Sequence, residues 1–160
     1  MVLLYGTSGV SLSVPLLTGN ENKSSESECF TGGSTVRKDC PFCRRHDILV
    51  ENDFASAIYD AHPVTRGHTL VIPKRHFADA FESTKEEMEA LIEIVRRVKQ
   101  FLDDEYSPDG YNIGFNCGRA AGQSIMHLHI HVIPRYAGDR YDPTGGVRGV
   151  IPEKQRYEPS

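Results

Sequence analysis

Between residues 84 and 105, apolar side chains recur at Met88, Leu91, Ile92, Val95, Val98 and Leu102, with charged residues filling the gaps. That three-to-four spacing predicts an amphipathic α-helix. Thr84, followed three residues later by Glu87, is a capping box that opens it. The Ser107-Pro108-Asp109-Gly110 cluster closes it. Elsewhere the apolar positions fall into short runs. Residues 48–51 and 54–59 flank Asn52-Asp53 and predict a hairpin. Residues 68–73 read as a strand ended by Pro73, residues 111–116 as another, and residues 147–152 as a final short strand.

The sharpest pattern is Met126-His127-Leu128-His129-Ile130-His131-Val132-Ile133-Pro134. In a β-strand successive side chains point to opposite faces, so His127, His129 and His131 share one face and Leu128, Ile130 and Val132 the other. The aliphatic face can enter a core while the imidazoles line a cleft. A helix would scatter them. A lone histidine is usually a satisfied core or surface residue, but three in strict alternation ask for more. Just upstream, residues 116–124 hold Asn116, small residues and two glycines, Gly118 and Gly122, so backbone N–H groups can approach an anion closely. Gln123 and Ser124 add side-chain donors. A row of imidazoles beside such a loop points to phosphate chemistry.

The His127-to-Val132 row and its flank resemble the signature of the histidine triad (HIT) superfamily of nucleotide hydrolases and transferases, and the similarity runs over roughly residues 40–139. The fold expected is α+β and HIT-like: a twisted, mainly antiparallel sheet of about five strands with one long and one short helix. The resemblance implies a nucleotide substrate and a homodimer. It implies His129 as nucleophile on the α-phosphate of a nucleoside polyphosphate, with a nucleotidyl-histidine intermediate. For this the ring must be neutral, its second nitrogen donating to a fixed acceptor such as a backbone carbonyl. His131, Gln123 and Ser124 would donate to the phosphate or the leaving group. Asn116 and Gly122 would hold the loop against the phosphate. Pro134-Arg135 with Gly138-Asp139 resembles the fragile histidine triad branch, which points to diadenosine polyphosphates. A nucleoside phosphoramidase, a dinucleoside polyphosphate phosphorylase and a regulatory nucleotide binder with little turnover remain alternatives.

Cys40-Pro41-Phe42-Cys43 is a C-x-x-C pair with three competing readings. A redox motif should follow a strand, and residues 35–39 are too polar for a buried one. Free thiols and a zinc half-site remain, and zinc needs partners from histidines. His46 is close in sequence. The resemblance implies Cys40, Cys43, His76 and His127, a filled quartet and hence a structural zinc. A triad that itself holds the metal is a further alternative. A divalent cation could also arrive with the substrate.

Asp60 ends the hairpin's second strand. It reads locally as a turn residue, and by resemblance as the acceptor for ribose hydroxyls. His68 reads as a surface histidine, or by resemblance as a phosphate neighbour. Ile58 and Phe42 read as apolar core, or by resemblance as the walls of a base pocket. Arg75 reads as a solvated charge with phosphate as the other option. The loop-rich tail beyond Arg135 could join a substrate pocket.

Composition alters this picture little. The chain has 160 residues, 39% hydrophobic and 25% charged, with a formal net charge of −4. That suits one soluble domain, does not suggest nucleic-acid binding, and offers no run long enough to span a membrane. Four cysteines do not make a disulfide scaffold and fit a cytoplasmic protein. Residues 1–37 read as a flexible extension before a domain at residues 38–160. Their apolar start lacks a basic segment and is broken by Gly6, Thr7, Ser8 and Gly9, which argues against a signal peptide.

Overall fold

The computed structural model describes residues 37–44 and 47–156. The expectations for the N-terminal extension, for a signal peptide, and for Cys29 or His46 as ligands fall outside those residues. Five strands, β1 (Val50–Glu51), β2 (Ala55–Tyr59), β3 (Thr69–Pro73), β4 (Gly110–Gly114) and β5 (Ile130–Arg135), form one sheet in the order β1-β2-β3-β5-β4. Every neighbouring pair is antiparallel. The long helix α1 spans Lys85–Tyr106, and short helical segments are single 3₁₀ turns such as Pro41–Cys43 and Ala80–Glu82. This is the α+β architecture expected.

Local chemistry explains the boundaries. Asn52 turns the first hairpin by accepting from the Phe54 and Ala55 N–H groups at 3.0 and 2.8 Å. Its amide nitrogen then donates to Ala90 O and Glu93 Oε2, tying the hairpin to α1. Both halves of the Thr84–Glu87 capping box are present. Ser107, in the left-handed region at φ 47°, stops the helix.

The main core lies between α1 and one face of the sheet. Leu91, Ile94, Val95, Val98 and Leu102 meet Ala55, Ala57, Val71, Leu128, Ile130 and Val132. Here one expectation is corrected: Ile92 is 44% exposed and Ile94 takes its place inside. Positions 91, 94, 95, 98 and 102 form one stripe, and Ile92 sits about 100° round the helix from Leu91. Among the described residues no strand forms at 147–152. Gly145 and Gly146, at φ 84° and 46°, fold this stretch into 3₁₀ turns wrapped around Gln155. Gln155 donates to Thr144 O and accepts from Arg140.

The opposite sheet face carries a second, smaller apolar cluster of Ile58, Leu70 and Ile72, with Phe42 packed on it. Directly opposed residues of antiparallel strands point the same way. Ile58 opposes Leu70 and Leu70 opposes His131, so this cluster shares its face with the third histidine. β5 begins only at Ile130, so His127 and His129 precede the ladder. Leu128 N–H instead donates to Phe77 O at 2.7 Å. The alternation survives, with Leu128, Ile130 and Val132 all in the main core.

Candidate functional site

The C-x-x-C segment is a 3₁₀ turn in which Cys40 N–H donates to Arg37 O and Cys43 N–H to Cys40 O. A turn at residues 38–39 precedes it, not a strand, so the placement of a redox motif is not met. Both thiols are unbridged. Cys40 Sγ lies 3.4 Å from His127 Nδ1, and Cys43 Sγ lies 3.6 Å from it and 3.2 Å from His76 Nδ1. One ligand atom from each of the four residues falls within 4.8 Å of all the others. A tetrahedral zinc with Zn–S about 2.3 Å and Zn–N about 2.0 Å would separate sulfur from nitrogen by about 3.5 Å. The donor set and separations fit such an ion.

Protonation fits as well. His127 Nε2 is 2.9 Å from Pro73 O. A carbonyl only accepts, so Nε2 carries the hydrogen and Nδ1 is bare toward the sulfurs, the tautomer a metal ligand needs. Burial holds the His127 ring down to about 4 and lowers His76 too. Burial also pushes the Cys43 thiol up, so a thiolate there needs a cation beside it.

His129 stands next in the row and is 6% exposed. Its Nδ1 lies 2.8 Å from His127 O, so Nδ1 is the donor and Nε2 is bare. The His129 ring is flanked by Phe42 and His131, with centroids at 5.1 and 5.0 Å. His131 Nδ1 lies 3.0 Å from His68 Nε2. Burial, reinforced by His129, holds His131 down to about 4. His68 is no surface residue: it is 3% exposed, and burial lowers it against the opposing pull of Asp60. Asp60 Oδ2 is 3.4 Å from His68 Nδ1, while its Oδ1 accepts from His62 N–H at 2.8 Å. The turn reading of Asp60 is therefore met, alongside a contact to His68, which in turn faces the row at His131.

The preceding loop is braced from within. Gly118 and Gly122 have φ of 81° and 88° with open space where a Cβ would stand, so backbone conformation, not crowding, asks for glycine. Gln123 is buried. Its Oε1 accepts from Gly118 N–H and its Nε2 donates to Ala78 O, both at 2.8 Å, leaving one amide hydrogen uncommitted. Ser124 is exposed and shares a hollow with Arg37, Cys40 and His76 beside the quartet. Asn116 is half-buried.

Ile58 and Phe42 sit in the small cluster on the histidine face. Arg75 is half-exposed but is not a free charge. It grips Glu87 with two 2.7 Å bonds and also donates to Glu82 O, clamping the start of α1. Arg135 grips Asp139 in the same two-pronged way, which makes that pair a loop brace. The chain of contacts from Asp60 to His68 to His131 has no signal in the sequence. Only the register of β3 on β5 brings them together, and no local pattern encodes register across 60 residues.

The family model described as "HIT domain" matches residues 44–138. The protein named Protein hit from Bacillus subtilis is 39% identical over 111 residues, covering 65% of this chain and 77% of that one. Adenylylsulfatase HINT3 from Arabidopsis thaliana is 34% identical over 127 residues, covering 71% of this chain and 64% of that one. A Zn-bound histidine triad family protein from Mycobacterium smegmatis superposes with a TM-score of 0.60 at 34% identity, covering 65% of this chain and 80% of that one. A family match over more than half of the chain, joined to the histidine row in its expected geometry, places the identification beyond motif resemblance: the chain belongs to the HIT domain family.

Proposed function

We propose that this protein is a nucleotide hydrolase or nucleotidyl transferase acting at the α-phosphate of a nucleoside polyphosphate, of the diadenosine polyphosphate type. The observation that carries the reading is the His129 Nδ1–His127 O bond of 2.8 Å, which leaves a bare, fixed Nε2 on a ring walled by Phe42 and His131. The base would lie on Phe42 and Ile58, and the ribose hydroxyls would donate to Asp60. The loop containing Asn116, Gly122 and Ser124 would hold the phosphate, with Gln123 bracing it and offering its remaining amide hydrogen.

In the first step His129 Nε2 forms a bond to the α-phosphorus and the bond to the leaving oxygen breaks. His131 donates to that oxygen. In the second step water attacks phosphorus and loses a proton to solvent, the N–P bond breaks and the electron pair returns to Nε2. A neutral imidazole with a bare nitrogen is both a competent nucleophile and a fair leaving group from phosphorus. Any divalent cation would enter with the polyphosphate.

Zinc on Cys40, Cys43, His76 and His127 would be structural, clipping the N-terminal turn to the histidine row with no open position. The domain would run over residues 38–160. A homodimer belongs to the same reading: β4 is a sheet edge, with Ile113 and Phe115 both 42% exposed.

A second reading is favoured by the relative named an adenylylsulfatase. The same nucleophile would then expel sulfate, or an amine, in place of a nucleotide. The test is a panel of diadenosine tetraphosphate, adenosine phosphoramidate and adenosine 5′-phosphosulfate, with and without inorganic phosphate, and with product analysis. Fastest release of AMP from the tetraphosphate supports the first reading. Preference for phosphosulfate or phosphoramidate supports the second. ADP formed only with added phosphate marks a phosphorylase, and AMP binding without turnover marks a regulatory binder.

A further inference from the structure

His68 has two claimants for one ring nitrogen. Its Nδ1 lies 3.4 Å from Asp60 Oδ2 and 3.3 Å from the backbone nitrogen of Val64. Their demands are opposite. A carboxylate accepts, so it is satisfied only when Nδ1 carries a hydrogen. A backbone N–H donates, so it is satisfied only when Nδ1 is bare. A neutral imidazole carries one hydrogen, so the outcome at Nδ1 dictates the state of Nε2.

That second nitrogen is the one facing His131, at 3.0 Å. With the hydrogen on His68 Nδ1, Nε2 accepts from His131 Nδ1–H and His131 Nε2 is bare. With the hydrogen on His68 Nε2, it donates to His131 Nδ1, and His131 carries its own hydrogen on Nε2. The ring is nearly sealed from water, and the doubly protonated form would leave Val64 N–H facing an N–H in a buried place. The titratable groups facing the pair are Asp60 and His129.

We propose that His68 is a tautomer relay through which a ribose bound at Asp60 switches His131 into the form that donates from Nε2. The proposal rests on the nucleotide reading above. Asp60 Oδ1 accepts from His62 N–H, while Oδ2, the oxygen beside His68, keeps a lone pair that a ribose hydroxyl would engage. A hydroxyl donating to Oδ2 weakens its hold on a hydrogen at His68 Nδ1, and the Val64 N–H prevails. The pair keeps two hydrogens throughout. The proton on His68 Nδ1 leaves through Asp60 to solvent, His131 Nδ1–H passes to His68 Nε2, and His131 Nε2 takes one proton from water. In this role His68 is a positioning residue that acts through His131. The donor for the leaving group is armed only after the nucleoside half is seated.

The experiment is NMR of ¹⁵N-histidine-labelled protein, reading the tautomers of His68 and His131 free, with AMP, and with 2′,3′-dideoxyadenosine 5′-monophosphate. AMP should move the His131 hydrogen from Nδ1 to Nε2, and the dideoxy nucleotide should bind without that change. Asp60→Ala should show the Nε2–H form in the free protein. Val64→Pro, which removes the competing N–H, should keep the Nδ1–H form even with AMP and lower kcat about 10²-fold with little change in KM. Bound AMP with an unchanged His131 tautomer overturns the relay alone. Failure of AMP to bind overturns the nucleotide reading and the relay with it.

Discussion

The two ends of the histidine row carry the same side chain, and burial holds both rings down to about 4, yet their surroundings differ in kind. At His127 every partner is fixed: a carbonyl takes one nitrogen and two sulfurs face the other. At His131 the partner is another histidine, itself contested by a carboxylate and an amide. Burial alone does not assign a histidine its work. What faces the second nitrogen does. An unambiguous acceptor makes a ligand, and an ambivalent one makes a group that can change its proton.

The comparison breaks most completely at the residue between the two ends. His129→Ala should lower turnover by at least about 10³-fold while AMP binding persists, and a radiolabelled nucleotidyl group should be trapped only on protein that keeps His129. Substantial hydrolysis by the variant would refute the nucleophile. At the fixed end, Cys40→Ser or chelation should take zinc from one per chain to none and lower Tm by about 10 °C or more, read by metal analysis and calorimetry. At the adaptable end, His131→Ala should slow the reaction by about 10²–10³-fold with zinc retained and Tm little changed. A matching loss of zinc there would erase the distinction between the ends. Asp60→Ala should act mainly on KM, raising it by about tenfold, since a ribose contact is present in ground and transition states alike.

The smallest effect is on stability against pH in the zinc-loaded protein. His131 in the fold titrates near 4, below its unfolded value of about 6.5, so the unfolded chain binds more protons between the two. Stability from keeping this ring neutral is full above about 6.5 and is lost as pH falls toward 4. Tm should drop by a few degrees over that window, and His131→Asn should flatten the drop. An unchanged slope in the variant would place the pH dependence elsewhere.

Local codes were legible in the sequence. The Thr84–Glu87 cap, the Asn52 turn and the alternation from His127 to Val132 each involve residues within a few positions of one another, and each appears as read. The four residues of the quartet also come together, though the sequence alone offered only the cysteine pair and left its histidines to resemblance. What stayed hidden depends on pairing at a distance. The same apolar content at Ile92 and Ile94 does not say which faces the sheet. Nor does residue type say that Gln123 will brace Ala78, that Arg75 will seize Glu87, or that His68 will meet His131. Each needs the register of elements far apart in the chain.

The bond from His129 to the carbonyl of His127 has a consequence for how such a chain can change over generations. That acceptor belongs to the main chain, so no substitution deletes it; it can only be moved. A lineage could replace both sulfurs with apolar packing and dispense with a metal, provided the new side chains held residue 127 in the same place. Conversely, a neutral-looking change under His127 that shifted the backbone by an ångström would disarm the neighbouring ring while leaving every reacting residue in the sequence intact.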